Sequence, residues 1–587
     1  MVLLPLLDKA LGDIDLRSES WVQNLTLWVG LFGAFLASWK ERHLCIAVGE
    51  AIRLGPWKAR LDALTRAGTI GILVCLSIAS TKYVAEMYDV ARVGITFNQV
   101  GGWVPFWIAV IPMPLAFVAM ALVTFWRRGD GWRIRLGILS LAGLLGPAMV
   151  FLPFGVEPVA RVLGIGGLIL LAGMGMPLFA ALGGAALLLF FLSWTPIASV
   201  PSGVYSISSE FFLPTVPLFA LAGVVLARGG APTRLVRFAQ AWTGWAPGGA
   251  AIATILACAF FTAISGASGV TILALGGLLL PVLLAAKHSD RFSLGLLTAS
   301  GSVGLLFPPS IPVFMYAVKG RVFFGELFLA GLVPGLLLLF LLGGFSLFQV
   351  KGQWRERPRF QAGEALAAVR VASGDLLLVV IVLVAIFTGW LGLVQSAALA
   401  AFGAIVLEVG VHRKVHLRRE LPGVLVEACL LVGALIAVIC MAFGVSQFLI
   451  TEEVPGRISE WVTTYIHSKW TFLLVLNLLL LAVGALMDIF SAIVIVVPLI
   501  IPLAEYFGVG FAHLGIIFLA NLELGYLTPP VGLNLFLSSL TFDKPLLKVW
   551  RAALPFLAIF AVWVILVTYV PWLSEGVVQL VRGIMGG

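Results

Sequence analysis

Two stretches decide the fold: GSVGLLFPPSIPVF at 301–314 and LELGYLTPPVGLNLF at 522–536. Each carries a proline pair, Pro308-Pro309 and Pro529-Pro530, in the middle of an apolar span. Consecutive prolines remove two backbone donors and cannot continue a regular helix, so each span reads as a broken helix. The displacement that carries Pro308 onto Pro529 also superimposes Pro281 on Pro502, Gly304 on Gly525 and Gly223 on Gly444. Four matches at one displacement, in the same apolar setting, predict an internal duplication.

The rest of the chain fits a membrane setting. Of its 587 residues 61% are hydrophobic and only 11% are charged, against about 25% in a soluble domain. So few charges cannot coat a globule of this size, which excludes a soluble enzyme and a disordered protein. An all-α polytopic membrane protein remains. Apolar runs predict spans near 22–39, 69–88, 104–125, 136–154, 160–174, 175–193 and 211–227. Others lie near 296–317, 325–349, 374–391, 396–411, 423–447, 513–541 and 551–571. Two longer runs, 247–286 and 470–503, are interrupted near their middles by small or polar residues. The five cysteines are scattered without a CxxC pair and read as isolated thiols.

Loop charge gives the orientation. Basic residues cluster at 126–136 (Arg127, Arg128, Arg133, Arg135), at 350–370 and at 412–420, while 194–210 has none and 451–457 is acidic. Short basic loops stay cytoplasmic, so the net charge of +9 reflects topology, with anionic membrane lipid rather than nucleic acid as its partner. On this scheme the run 247–286, bounded by Arg234, Arg237, Lys287 and Arg291, enters from the cytoplasm and returns. The run 470–503 enters from outside and returns. Two inverted repeats, each with a re-entrant hairpin and a broken helix, predict a secondary transporter. Irregular backbone at such depth is tolerated where it lines a cavity.

The candidate residues sit at the breaks. The first hairpin turns at Ile264-Ser265-Gly266-Ala267-Ser268-Gly269, where small residues permit a tight bend and leave carbonyls and hydroxyls available to a hard cation. The same residues also suit plain helix packing. The second turns near Met487-Asp488, and Asp488 is the only charged residue between Thr471 and Leu503. A carboxylate at that depth reads as functional, with helix capping as the alternative role. Glu523 and Asn521 precede Gly525, and Glu523 is a candidate for cation coupling or for a fixed structural bond. Thr528 and Asn534 flank the second proline pair. Enzyme motifs are wanting: there is no P-loop, and His412 and His416 lie in HRKVHLRRE without a metalloprotease glutamate.

These motifs resemble the membrane subunits of tripartite ATP-independent periplasmic (TRAP) transporters. GGAAIATILACAFFTAISGASGVTILALGGLLLP (248–281), LLFPPSIP, GLVPGLL, MDIFSAIVIVVPLIIPLAEYFGV and NLELGYLTPPVGLNLF occur in the order of the large permease. MGMPLFAALGGAALL (174–188) resembles that subunit's beginning, and the likeness covers about 160 to 571. The segments LTLWVGLFGAFLASWKERHLCIAV and VPFWIAVIPMPLAFVAM resemble the small permease more weakly. Three spans precede residue 126 where small subunits usually carry four, so the usual first span is expected to be missing and the N-terminus outside. The resemblance implies a small-permease-like scaffold at 1–130, a connector span at 131–158, and a large-permease-like transport part at 159–587 with repeats at about 200–350 and 420–571.

The resemblance further implies an elevator-type transporter of the bacterial inner membrane, importing a small organic acid with sodium. A periplasmic substrate-binding protein is the implied partner, Na+ the coupling ion, and a monomer or homodimer the expected assembly. Family positions imply a first sodium site at Ser265, Gly269, Gly304, Phe307 and Pro309. Repeat symmetry then implies a second at Asp488, Gly525, Thr528 and Pro530. Substrate contacts are expected at Ala267, Ser268, Ser310, Asp488 and Asn534. The family's SGSS reads Ser265-Gly266-Ala267-Ser268 here, one hydroxyl fewer, and no buried arginine waits for a carboxylate in the hairpins. Helix N-termini and backbone N–H groups are the expected substitutes. A stand-alone divalent-anion symporter and, less favoured, an ion channel are the competing readings.

Overall fold

The computed structural model describes residues 2, 4–6, 18–41, 43, 58–92, 99–100, 104–126, 157–206, 213–349, 360–529 and 532–585. The span expected at 136–154, nearly all of the connector at 131–158, and Pro530 lie outside them. Contacts divide the chain into two units, chiefly 3–217 with 426–457, and 218–425 with 458–587.

The first unit opens with helices α1 (Ser18–Trp39), α2 (Lys58–Arg92), α3 (Phe106–Val110) and α4 (Pro112–Phe125). These supply the three passes expected before residue 126. The third is interrupted at Ile111, where Pro112 and Pro114 follow and α4 starts afresh with proline in its first turn. A short antiparallel ladder, β1 (Gln99–Val100) with β2 (Val104–Pro105), leads into α3. Then come α5 (Glu157–Gly173), α6 (Leu178–Leu192) and α7 (Ser199–Ser206). Buried polar side chains find partners: Tyr205 Oη donates to Asn24 Oδ1 at 2.8 Å, and Trp28 Nε1 to the Ala109 carbonyl at 3.0 Å. In an apolar surrounding such bonds are obligatory.

Helix α8 (Thr215–Arg228) carries the chain into the second unit and meets α9 (Ala231–Thr243) at a 73° corner. The first long run is a hairpin of α10 (Gly249–Ser265) and α11 (Ser268–Ala285). Next, α12 (Asp290–Ser300) runs through a 3-10 turn at Val303–Leu306 and breaks by 47° before α13 (Ile311–Lys319). Helix α14 (Phe324–Gln349) follows, then α15 (Ala362–Phe387) and α16 (Leu393–Ile405), which ends in a π turn at Val406–Val411. α15 begins well before the span expected from 374: AGEALAAVR is rich in good helix formers, so Arg370, assigned above to a basic connection, lies on the helix.

Helix α17 (Leu421–Thr451) returns the chain to the first unit, where Gly33 of α1 lies against Gly433. Backbones approach this closely only where both side chains are absent. α18 (Val454–Tyr465), the hairpin α19 (Lys469–Leu486) and α20 (Ile489–Tyr506), and the broken pair α21 (Phe511–Gly525) and α22 (Leu533–Thr541) come next. α23 (Leu546–Tyr569) and α24 (Trp572–Met585) complete the described chain.

The duplication is visible in the element boundaries. The displacement from Pro308 to Pro529 carries both ends of α11 onto those of α20, and it aligns α9 with α18, α10 with α19, α13 with α22 and α14 with α23 almost as closely. Packing shows it too. α11 lies on α22 while α20 lies on α13, and α12 lies on α23 while α14 lies on α21. Contacts that recur with the partners exchanged are the mark of a two-fold relation. One of the four sequence matches is not equivalent. Gly223 faces the backbone of Ser265, with room for no more than a hydrogen there, whereas Gly444 faces Ala186 and Val200 in the first unit at ordinary contact distance.

Among the described residues eleven helices are long and apolar enough to cross a membrane, or up to thirteen when each bent pair is one span. The protein is an all-α polytopic membrane protein.

Candidate functional site

The two hairpins turn where the sequence places the turns, by different chemistry. In the first, Gly266 ends α10 in the left-handed region (φ 66°), a conformation in which side chains are strained. Its N–H bonds back to the Thr262 carbonyl at 2.8 Å. The turn is clasped by Thr262, whose hydroxyl lies 2.7 Å from that of Thr271 and 2.9 Å from the carbonyl of Gly301. This clasp joins α10, α11 and the end of α12, and the sequence reading missed it. The available signal was two threonines placed about a turn either side of the SGAS bend.

In the second hairpin Asp488 is the N-cap of α20. Its Oδ2 accepts the N–H groups of Phe490 and Ser491 at 3.0 and 3.1 Å, and its Oδ1 accepts the Ser491 hydroxyl at 2.6 Å. The N–H of Ile489 is taken by Tyr526 Oη at 3.1 Å. The capping role considered for Asp488 is thus present.

The broken helices come up against these hairpins. A Cβ on Gly304 would lie 2.7 Å from the nitrogen of Ala263 on α10, and one on Gly525 would lie 2.6 Å from the Cα of Gly484 on α19. Ala263 and Gly484 are themselves related by the repeat displacement, so the same helix-on-break contact is made twice. Both glycines therefore have a packing reason to be glycine. Alanine at either position must push backbone from backbone, a strain of about 1–3 kcal/mol. Gly304→Ala and Gly525→Ala are each expected to lower the melting temperature of the detergent-solubilised protein. An unchanged melting curve for both would show that the approach is looser than described.

Ser265, Gly269, Gly304, Phe307 and Pro309 all belong to the first hairpin turn and first break, with Ser265, Gly304 and Pro309 buried. Gly301, beside the break, lies 3.6 Å from the Ser268 carbonyl by its would-be Cβ. Gly525 and Thr528 lie at the second break, where the Thr528 hydroxyl donates to the Leu524 carbonyl at 3.0 Å. Asn534 ties the second break to the first repeat: Nδ2 donates to the Thr298 carbonyl of α12 at 3.2 Å, and its own N–H to the Tyr526 carbonyl.

Several buried atoms at the breaks have no partner among the described residues: Ser310 Oγ, Asn534 Oδ1 and both carboxylate oxygens of Glu523. Unsatisfied buried polar atoms are uncommon and call for a reason. Of the four helices that start at these turns and breaks, α11, α13 and α22 also begin without a side-chain cap among the described residues, whereas α20 has Asp488. Their first-turn N–H groups retain the positive end of the helix dipole. Hydroxyl and carbonyl oxygens suit a hard cation, and uncapped N-termini suit an anion.

Arg234, read above as a marker of the cytoplasmic loop, is buried on α9. Its guanidinium donates to both oxygens of Asp375 on α15, at 2.6 and 2.7 Å, and to Glu408 of the π turn. Glu408 also accepts the N–H of Gly230 at 3.0 Å. A carboxylate from a distant segment thereby caps α9 at the Gly229-Gly230 corner, where a side chain on Gly229 would collide with it. Asp375 and Glu408 are buried acids within the apolar runs at 374–391 and 396–411. Loop-charge counting treats every arginine as solvated, and this one is not.

A multi-pass helical protein with paired hairpins and broken helices around unsatisfied polar atoms is a membrane permease rather than an enzyme. Residues 165–573 match the family model described as tripartite ATP-independent periplasmic transporter, DctM component. The chain belongs to that family, and it is a multi-pass protein of the bacterial inner membrane. It is 38% identical to the C4-dicarboxylate TRAP transporter large permease protein DctM of Pseudomonas aeruginosa, over 67% of this chain and 92% of that one. It is 31% identical to the isethionate TRAP transporter permease protein DctMQ of Oleidesulfovibrio alaskensis, over 85% of this chain and 79% of that one. Similarity to the sialic acid TRAP transporter permease protein SiaT of Haemophilus influenzae, 26% identical, spans 94% of this chain and 92% of the relative. Likeness over nearly the full length, beyond the large-permease match, is that of a fused small and large permease.

Proposed function

We propose that this permease imports a small organic acid together with sodium, receiving the acid from a soluble periplasmic binding protein, and that it works as an elevator. The observation that carries the reading is the set of unpartnered buried oxygens at two symmetric breaks, beside helix N-termini that lack side-chain caps among the described residues. Relatives named for C4-dicarboxylates, isethionate and sialic acid all have anionic substrates, and small carboxylates are the first to test. Ser265, Gly269, Gly304, Phe307 and Pro309 are proposed to hold one sodium ion, and Asp488, Gly525, Thr528 and Pro530 a second. Ala267, Ser268, Ser310, Asp488 and Asn534 are proposed to face the substrate, with Glu523 as a coupling group. In this scheme residues 1–130 form a scaffold, 131–158 a connector, and the hairpins and broken helices of 159–587 the moving block.

Proteoliposomes with an imposed sodium gradient test the scheme directly. Uptake of a radiolabelled dicarboxylate is expected only when the gradient is inward and the cognate binding protein is present. Uptake without any soluble partner would make the protein a stand-alone symporter, and uptake indifferent to sodium would remove the coupling. Currents far above a carrier's turnover would point to a channel.

A further inference from the structure

Outside the hairpins, the second unit has a cavity of about 410 Å³ between α12 and α23, lined by Arg291, Lys548 and Arg551 together with buried Leu294 and Ala552 and exposed Leu547. Among the described residues no acid lines it. Arg291 is held at the rim by a bond from Nη2 to the Arg551 carbonyl at 3.1 Å, and Lys548 pairs with Asp290 at 3.0 Å while remaining half exposed. The first turn of α23 opens beside the cavity after Pro545, adding the positive end of a 24-residue helix. Loop charge places this end of both helices on the cytoplasmic side, next to Lys287 and Lys544.

The geometry points to a binding site for the phosphate headgroup of an anionic phospholipid, with Arg291, Lys548 and Arg551 around the phosphodiester and Leu294 and Leu547 against the start of an acyl chain. Two features select a lipid. The cations share the cavity wall with apolar side chains, Leu294, Leu547 and Ala552, and by loop charge the cavity lies on the side where a cytoplasmic leaflet presents its anionic headgroups. Basic pockets between membrane helices on that side are suited to such headgroups. Guanidinium groups bind phosphate oxygens through paired donors, and the surplus positive charge favours an anionic headgroup over a zwitterionic one.

The test uses the full chain in nanodiscs and in native mass spectrometry, with phosphatidylglycerol and phosphatidylcholine as probes. Phosphatidylglycerol is expected to be retained selectively, and R291Q/K548Q/R551Q is expected to weaken its retention about a hundredfold, each basic residue contributing a factor of roughly five. All three side chains are exposed at the rim, so the variant is expected to melt as the wild type does, and R291K/R551K should keep part of the retention. Equal retention of the two lipids, or selectivity that survives the triple substitution, would overturn the assignment. Displacement of the bound lipid by millimolar inorganic phosphate would instead make the cavity a soluble-anion site and also overturn it.

Discussion

Asp488→Ala is expected to reduce sodium-dependent uptake to the level of protein-free vesicles, while Asp488→Asn separates the two roles the carboxylate can play. The cap itself is modest: an N-cap acid replaced by alanine costs about 1 kcal/mol, at most about 2. Asparagine keeps an oxygen for the N–H groups of Phe490 and Ser491 and so retains most of that stability. What it loses is the charge, deep in an apolar run where a carboxylate is expensive to keep. If the proposed cation site needs the charge, both variants lose sodium dependence and only alanine lowers the melting temperature. Normal sodium-driven uptake by Asp488→Asn would leave Asp488 as a cap alone. Measuring uptake against external sodium at fixed substrate, with melting curves in parallel, distinguishes these results.

The second large effect is at Arg234. Arg234→Met strands Asp375 and Glu408 as buried acids without a cation, and removing one member of such a pair costs about 3–5 kcal/mol. Severe loss of folded protein is expected, seen as poor monodispersity and a large drop in melting temperature. The companion variant Arg234→Met with Asp375→Leu and Glu408→Gln removes all three charges. Its glutamine still offers an oxygen to the Gly230 N–H, so it is expected to recover most of the stability. A single Arg234→Met variant that melts like the wild type would contradict the buried geometry at this corner.

Most spans and both breaks are legible because their determinants are local: apolar length, proline pairs at 308–309 and 529–530, and small residues at 265–269; the runs at 160–174 and 175–193 form shorter apolar helices than a span needs. The starts of α11 and α20 fall at the two expected turns for the same reason. Arg234, Asp375 and Glu408 were not legible as a group, since they come from three well-separated segments and their meeting depends on how α9 folds back at Gly229-Gly230. Thr262 and Thr271 fall between these cases. They are close in sequence, but their value comes from the Gly301 carbonyl that a third helix brings to them. The clasp is not repeated, because Val483 and Ala492 stand where Thr262 and Thr271 would recur. The second hairpin closes through an acid instead.

The exchanged packing of the repeats also bears on how the chain is made. α11 starts at Ser268, but the helix it lies against, α22, does not start until Leu533. The contacts of α11 with α22 and of α12 with α23 therefore wait until Leu533 and the helices after it have been synthesised, although α13 can meet α20 earlier. Contacts so distant in sequence form late, and incomplete intermediates expose surface that invites misassembly or proteolysis. A nascent chain arrested before Phe511 presents both hairpins but only one of the two broken helices to the insertion and quality-control machinery.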